Sequence, residues 1–172
     1  MIETLINYIA HNPSDTTSPL YLELNTADML VAQGSVDKVR LYDANSSEGN
    51  TPYVKLSDGG ARQRLSTYLG GSYLEKQTMV CECVALGATP LSAINRAELL
   101  KLAVEGEVKK LQSSLTGLTT RLDLGGTSSS EQIVNVQIAS PDSETPVQGQ
   151  TNKFTATRTA LIDVFVFKGR TV

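Results

Sequence analysis

The sequence predicts an α+β domain: a mostly antiparallel sheet of about five to six strands, with one long helix packed on it and a short N-terminal helix. Three observations carry this. Apolar residues recur at Ile94, Ala97, Leu100, Val104, Val108, Leu111 and Leu115, in steps of three and four that hold them on one helical stripe. Tyr73 to Leu86 and Phe154 to Lys168 are β-prone runs, long and apolar enough to be central strands. The elements follow one another as helix, short helix, two strands, strand, long helix and three strands, an order that gives an α+β domain with a mostly antiparallel sheet. A chain of 172 residues fits a single domain over 1–172, and at that size roughly 70% of the unfolded surface can be buried.

Taken in order, Ile2, Leu5, Ile6 and Ile9 have amphipathic helical spacing, and Asn12-Pro13 ends that helix. Thr26 and Asp28 ahead of Met29, Leu30 and Val31, with Gly34 beyond, predict a second short helix. Val36 to Tyr42 and Pro52 to Leu56 read as the arms of a long-looped hairpin. Ser57 to Gly71 has Gly59-Gly60 and Gly70-Gly71 at its two ends and no period between them, so an extended or mobile loop is expected there. The domain thus carries long loops near 43–71 and 140–152. Tyr73 to Leu86 presents Met79, Cys81, Cys83 and Ala85 on one face, and Val80, Glu82, Val84 and Leu86 on the other.

The long helix spans Thr89 to Ser114. Thr89 is a good N-cap, and Pro90 suits the first helical position, where its missing N–H costs nothing. The side away from the apolar stripe carries Arg96, Glu98, Lys101, Glu105 and Lys109, with Glu105 and Lys109 spaced for an i,i+4 pair, and is solvated or in a polar contact. Leu118 to Leu124 and Ile133 to Ala139 alternate as half-buried strands. Ser140 to Asn152, with Pro141, Pro146 and Gly149, reads as a long loop before the final strand, whose segment Ala160 to Phe167 is apolar on both faces except at Asp163.

The two central strands have more apolar surface than one helix covers. A helix on one side leaves the other either to the first two helices, if they cover all of it, or in part to another chain, for which a specific interface needs about 800 Å² from each partner.

Several chemistries are excluded or weakened. A net charge of -3 does not suit a surface that coats nucleic acid. Met1 to Ala10 lacks a basic start and a spanning run, so a soluble chain beginning in the cytoplasm is expected, with no membrane partner. Cys81 and Cys83 lie two apart on one strand face, which disfavours a mutual bridge, and the single His11 leaves too few ligands for a zinc site. No metal or cofactor is therefore expected. Glu82 and Asp163 interrupt apolar strands and would be a catalytic pair only if brought together in a pocket; pairing with Arg121 or Lys76, or a subunit contact, is the alternative. Gly59-Gly60 and Gly70-Gly71 flank Arg62 and Arg64 without any phosphate-loop pattern, so a loop that touches a partner, or merely solvent, is expected there.

The opening Met1-Ile2-Glu3-Thr4-Leu5-Ile6-Asn7-Tyr8-Ile9, the polar segment with its hairpin, the strand Tyr73 to Val80, the helix from Pro90 and the closing strand Leu161 to Phe167 together resemble the tail terminator (tail tube completion) proteins of long-tailed bacteriophages. The resemblance covers most of the chain in topology and departs at Asp43 to Gly71 and at Ser140 to Asn152. It implies a virion protein, not an enzyme: a hexameric ring that caps the tail tube, stops its growth, and meets head-completion proteins, with DNA passing through its lumen unbound. The contact residues expected on that basis are Arg62 and Arg64, the helix charges Glu98, Lys101, Glu105 and Lys109, and Glu144 and Gln148 of the second long loop. Competing readings are another neck or tail-tube component and, in a different class, a small soluble enzyme or a metal-binding module.

Overall fold

The computed structural model describes Leu5 and residues 39–41, 53–117, 122–123, 131–144, 147–150 and 153–169. Its elements are β1 (Val39–Leu41), β2 (Tyr53–Thr67), β3 (Tyr73–Gly87), α1 (Pro90–Thr116), β4 (Leu122–Asp123), β5 (Glu131–Glu144), β6 (Gln148–Gln150) and β7 (Lys153–Lys168). The architecture is α+β. Four long strands in the order β2-β3-β7-β5 are each antiparallel to the next, and α1 packs on one face of the sheet against β3, β7 and β5. Short β1 and β4 extend the edges, and β6 pairs with the start of β7, where β5 no longer reaches.

The register sorts the strands into two faces. Met79, Cys81 and Cys83 stand beside Ile162, Ala160 and Arg158 under the helix, while Thr78, Val80 and Glu82 stand beside Asp163, Leu161 and Thr159 on the other side. The helix-side residues Val54, Leu56, Met79, Cys81, Cys83, Ala85, Ala160, Ile162, Val164 and Val166 are buried against Ala93, Ala97, Leu100, Val104, Val108, Leu111 and Leu115 of α1. Six of the seven predicted stripe positions are therefore core, and Ile94 packs at its margin. Leu5 is helical and buried in the same core; the rest of the predicted first helix, and all of the second, fall outside the described residues. Cys81 and Cys83 are free thiols, both buried. Their mutual hydrogen bond, with burial, pushes the Cys83 thiol well up from its ordinary value.

The start of α1 follows local chemistry. Thr89 Oγ1 accepts from the Ser92 amide at 3.1 Å, and Ser92 Oγ accepts from the Thr89 amide at 3.2 Å, a reciprocal capping box with Pro90 just inside. Gly87 allows the first turn to touch the strand end: a Cβ there would lie 2.3 Å from the Ala93 nitrogen.

Three sequence expectations are corrected. Val36 to Leu56 is not an antiparallel hairpin, because β1 runs parallel to β2, with Val39 beside Val54. Ser57 to Gly71 is not a loop; β2 continues to Thr67 and only the turn at 68–72 separates it from β3. The Gly59-Gly60 pair is absorbed as a bulge between Asp58 and Arg62, where the Asp58 carboxylate accepts from the Gly60 amide at 2.8 Å. Ser140 to Asn152 is largely strand, since β5 runs through Pro141 to Glu144 after a second irregularity and β6 forms a tight hairpin with β7. The predicted strand Leu118 to Leu124 is described only at Leu122–Asp123, paired with Gln132 and Ile133.

Candidate assembly surfaces

Three parts of this scaffold carry the residues singled out in the sequence and the exposed apolar side chains. The first is the sheet face away from α1. Along its centre, Val80, Leu161, Phe165 and Phe167 are only partly buried, while Val84, Thr159 and Asp163 are closed off. Polar groups lie within this apolar field. Asp163 accepts from Lys76 Nζ at 3.1 Å and from Thr78 Oγ1 at 2.6 Å, and Lys55 reaches Glu82 at 3.9 Å. The two carboxylates singled out in the sequence are not brought together. Glu82 is in register with Thr159 and Asp163 with Thr78, four residues further along, or roughly 13 Å. Of the alternatives, Lys76 is the partner of Asp163.

Burial pushes the Asp163 carboxyl up, but the hydrogen bonds from Thr78 and Lys76, the Lys76 charge and a further bond from Gln137 outweigh it, and the net shift is downward. A carboxyl lowered on folding adds stability above its unfolded value of about 3.9, and that stability is lost as pH falls through the folded value. Asp163→Asn is therefore expected to cost about 1–3 kcal/mol at neutral pH. The difference from wild type should shrink below about pH 3.9, as measured by urea denaturation across pH.

The second surface is the β2–β3 hairpin end. Gly70 and Gly71 have φ of 93° and 85°, and the turn closes through the Tyr68 amide to the Ser72 carbonyl at 2.8 Å. Tyr68 leans on Phe167 with ring centroids 6.0 Å apart, which steadies the tip. Leu65 and Tyr68 remain about half exposed and Leu69 is fully exposed. Arg64 stacks over Tyr73 at 4.0 Å, because its cross-strand neighbour Glu75 is already held by Lys168 at 3.4 Å. Arg62 instead pairs with Asp58 at 3.3 Å. Asp58 is itself lowered by hydrogen bonds from the buried Gln77 and the Gly60 amide, so this pair pins the bulge.

The third surface is α1. Its charges are not spread over an outer face. Lys101 is buried, bonded to Glu98 at 3.1 Å and near Glu105 at 3.9 Å, and Glu98 also takes Arg158 of β7 at 3.2 Å. These groups tie one flank of the helix to the sheet. Glu105 turns to Lys101 and not to the predicted Lys109, which is exposed. The outer ridge of α1 is instead apolar at Leu91, Leu99 and Leu102, which are 66%, 45% and 52% exposed. Glu144 and Gln148 stand in register with Arg158 and Thr155 at the far side of the sheet from Arg62 and Arg64.

The structure thus separates the eight predicted contact residues: Arg62 and Arg64 on the β2 edge, Glu98, Lys101 and Glu105 in one internal network, Lys109 outside, and Glu144 and Gln148 beyond β7. Sequence reasoning missed the exposed leucines Leu65, Leu69, Leu91, Leu99 and Leu102. The signal for the helical ones was present, as three leucines off the seven-residue stripe. Among the described residues no group of three His, Cys, Asp or Glu is placed to hold a metal, and no helix is long and apolar enough to cross a membrane. Neither a protein-family model nor a curated protein matches this chain.

Proposed function

We propose that the protein is a structural subunit of a phage tail, a tail terminator whose six copies close into a ring on the end of the tail tube. In this reading the ring stops tube growth, receives head-completion proteins on its other side, and lets DNA through a lumen to which the net charge of -3 gives no general affinity. It is a virion protein that acts by binding, without catalysis. The N-terminal helix and the full set of about five to six strands belong to the same reading.

The observation that carries it is the sheet itself. Its face opposite α1 leaves aromatic and aliphatic side chains partly exposed, and its hairpin tip and helix ridge add further apolar surface on other sides of the subunit. Monomers that expose apolar groups in several directions gain by heterologous association, in which a patch meets a different patch on the next copy and the rotation between copies decides closure.

Light scattering of the purified chain, alone and with tail tube added, tests this. A single species of six chain masses, or a cap that arrests tube growth, is the expected result. A chain that stays monomeric and leaves tube elongation unchanged would end the proposal, and open-ended polymerisation would make it a tube protein instead.

A further inference from the structure

We propose that the glycine bulge in β2 guards an open sheet edge, keeping the backbone there from pairing with strands of other chains. This goes beyond the assembly reading and holds for the subunit alone as well as in a ring.

The edge is open by backbone accounting. β1 covers β2 only from Val54 to Leu56, and past that point no strand among the described residues pairs with its outer side. Every residue from Asp58 to Leu65 is exposed. Because β2 bonds to β3 along one side, the other side of this stretch presents amide and carbonyl groups to solvent. An extended chain of any origin can add to such a row as a further strand.

Among the described long strands, breaks in the ladder occur only against the two outer ones. The central pair, β3 and β7, runs from Tyr73 beside Lys168 to Gly87 beside Phe154 without a shift. β2 shifts register twice against β3, and β5 shifts twice against β7. At the larger shift on each side three outer residues stand against one inner residue, 59–61 against Thr78 and 140–142 against Ala160. Surplus residues placed this way bend and twist an edge strand, so that a straight partner cannot follow it.

The β2 bulge is held in place from several sides. Gly59 approaches β3 so closely that a Cβ there would lie 2.7 Å from the Thr78 carbonyl oxygen, and Gly60 has a φ of 75°. The Asp58 carboxylate accepts from the Gly60 amide at 2.8 Å, from Arg62 at 3.3 Å and from the buried Gln77 side chain. The Gly60 amide is thereby occupied within the chain and withdrawn from any incoming strand. The Arg62 charge is held on the same edge.

Deleting Gly59 and Gly60 removes the two surplus residues. Asp58, Ala61 and Arg62 would then stand one for one against Met79, Thr78 and Gln77, with the register kept on both sides of the excision. A milder variant of the full chain is Gly60→Val, which disfavours the positive φ but meets nothing within 4 Å, so the fold is retained. Gly60→Asn tolerates that φ and serves as the control. Circular dichroism and thermal melting establish which variants are folded.

Light scattering over a concentration series should show the deletion and Gly60→Val associating about tenfold or more tightly than wild type, and Gly60→Asn behaving as wild type. Hydrogen exchange should find new protection in the associated form at the β2 amides between Ser57 and Arg64. A folded deletion variant that keeps the association state of wild type overturns the proposal, as does association that leaves those amides unprotected. Should the deletion not fold, Gly60→Val decides: unchanged association overturns the guard. Each variant is compared with wild type, so a wild type that proves monomeric ends the ring reading without touching this test.

Discussion

Gly87→Ala is expected to destabilise the protein by about 3 kcal/mol or more, the combined scale of overpacking and a damaged helix cap. The new Cβ would lie 2.3 Å from the Ala93 nitrogen, 2.3 Å from Ser92 Oγ and 2.8 Å from the Ala93 Cα. Two of those atoms are backbone in the first turn of α1, which cannot swing away as a side chain does. The turn is also held from both sides, by the Thr89–Ser92 capping box and by Arg96 Nη1 donating to the Leu86 carbonyl at 3.0 Å. Relief therefore requires lifting the helix start off β3, which unseats Ala93 and Ala97 from the core. Urea denaturation reads the effect as a lower midpoint at unchanged slope. A change below about 0.5 kcal/mol, the level of a neutral surface substitution, would show that α1 is not seated on Gly87.

Glu107→Met is expected to act in the opposite direction, raising stability by about 1–4 kcal/mol. Glu107 is 1% exposed on the core side of α1; one carboxylate oxygen meets Lys110 at 3.1 Å, and the other is buried without a hydrogen-bond partner among the described residues. Desolvation of that second oxygen is uncompensated, and methionine fills similar volume without it. Lys110 is about half exposed and returns to solvent at little cost. At this chain length each kcal/mol moves the melting temperature by roughly 2–4 °C. A melting temperature that falls instead would show that the carboxylate is satisfied in the native protein by a bound water or a partner group.

These two positions mark what supports the fold from within. Glu98, Lys101 and Arg158 join α1 to β7, so charge reversal at Lys101 would first break a buried network. Leu69 and Leu102 are exposed and lie outside the core, so substitution there leaves that network untouched.

The parts of the fold legible in the sequence are those set by local chemistry. Thr89, Pro90 and Ser92 start α1 through bonds within one turn, and its apolar period survives into the core because a helix presents one stripe wherever it packs. The strands β3 and β7 were legible because continuous apolar runs need cover on both faces. β2 beyond Ser57 was not. Its Gly59-Gly60 has the look of a turn, and Arg62, Gln63 and Arg64 show no alternation; the register offered by β3 makes it a strand, with a bulge taking up the glycines. The course of β5 through Pro141 rests in the same way on β7. At the contact surfaces, composition showed that apolar sheet area exceeds one helix, but not which residues stay outside. Lys101 and Glu107 are buried because the sheet beneath α1 is broader than its stripe, and Leu91, Leu99 and Leu102 are left out because they point away from it. By itself, then, the sequence determined the helix, its start and the two central strands, where each residue's neighbours in space are also its neighbours in the chain or its partners in a simple period. Strand direction, the long edge strands and the exposed leucines were decided only by the tertiary structure, because they depend on backbone pairing and burial between segments far apart in the chain.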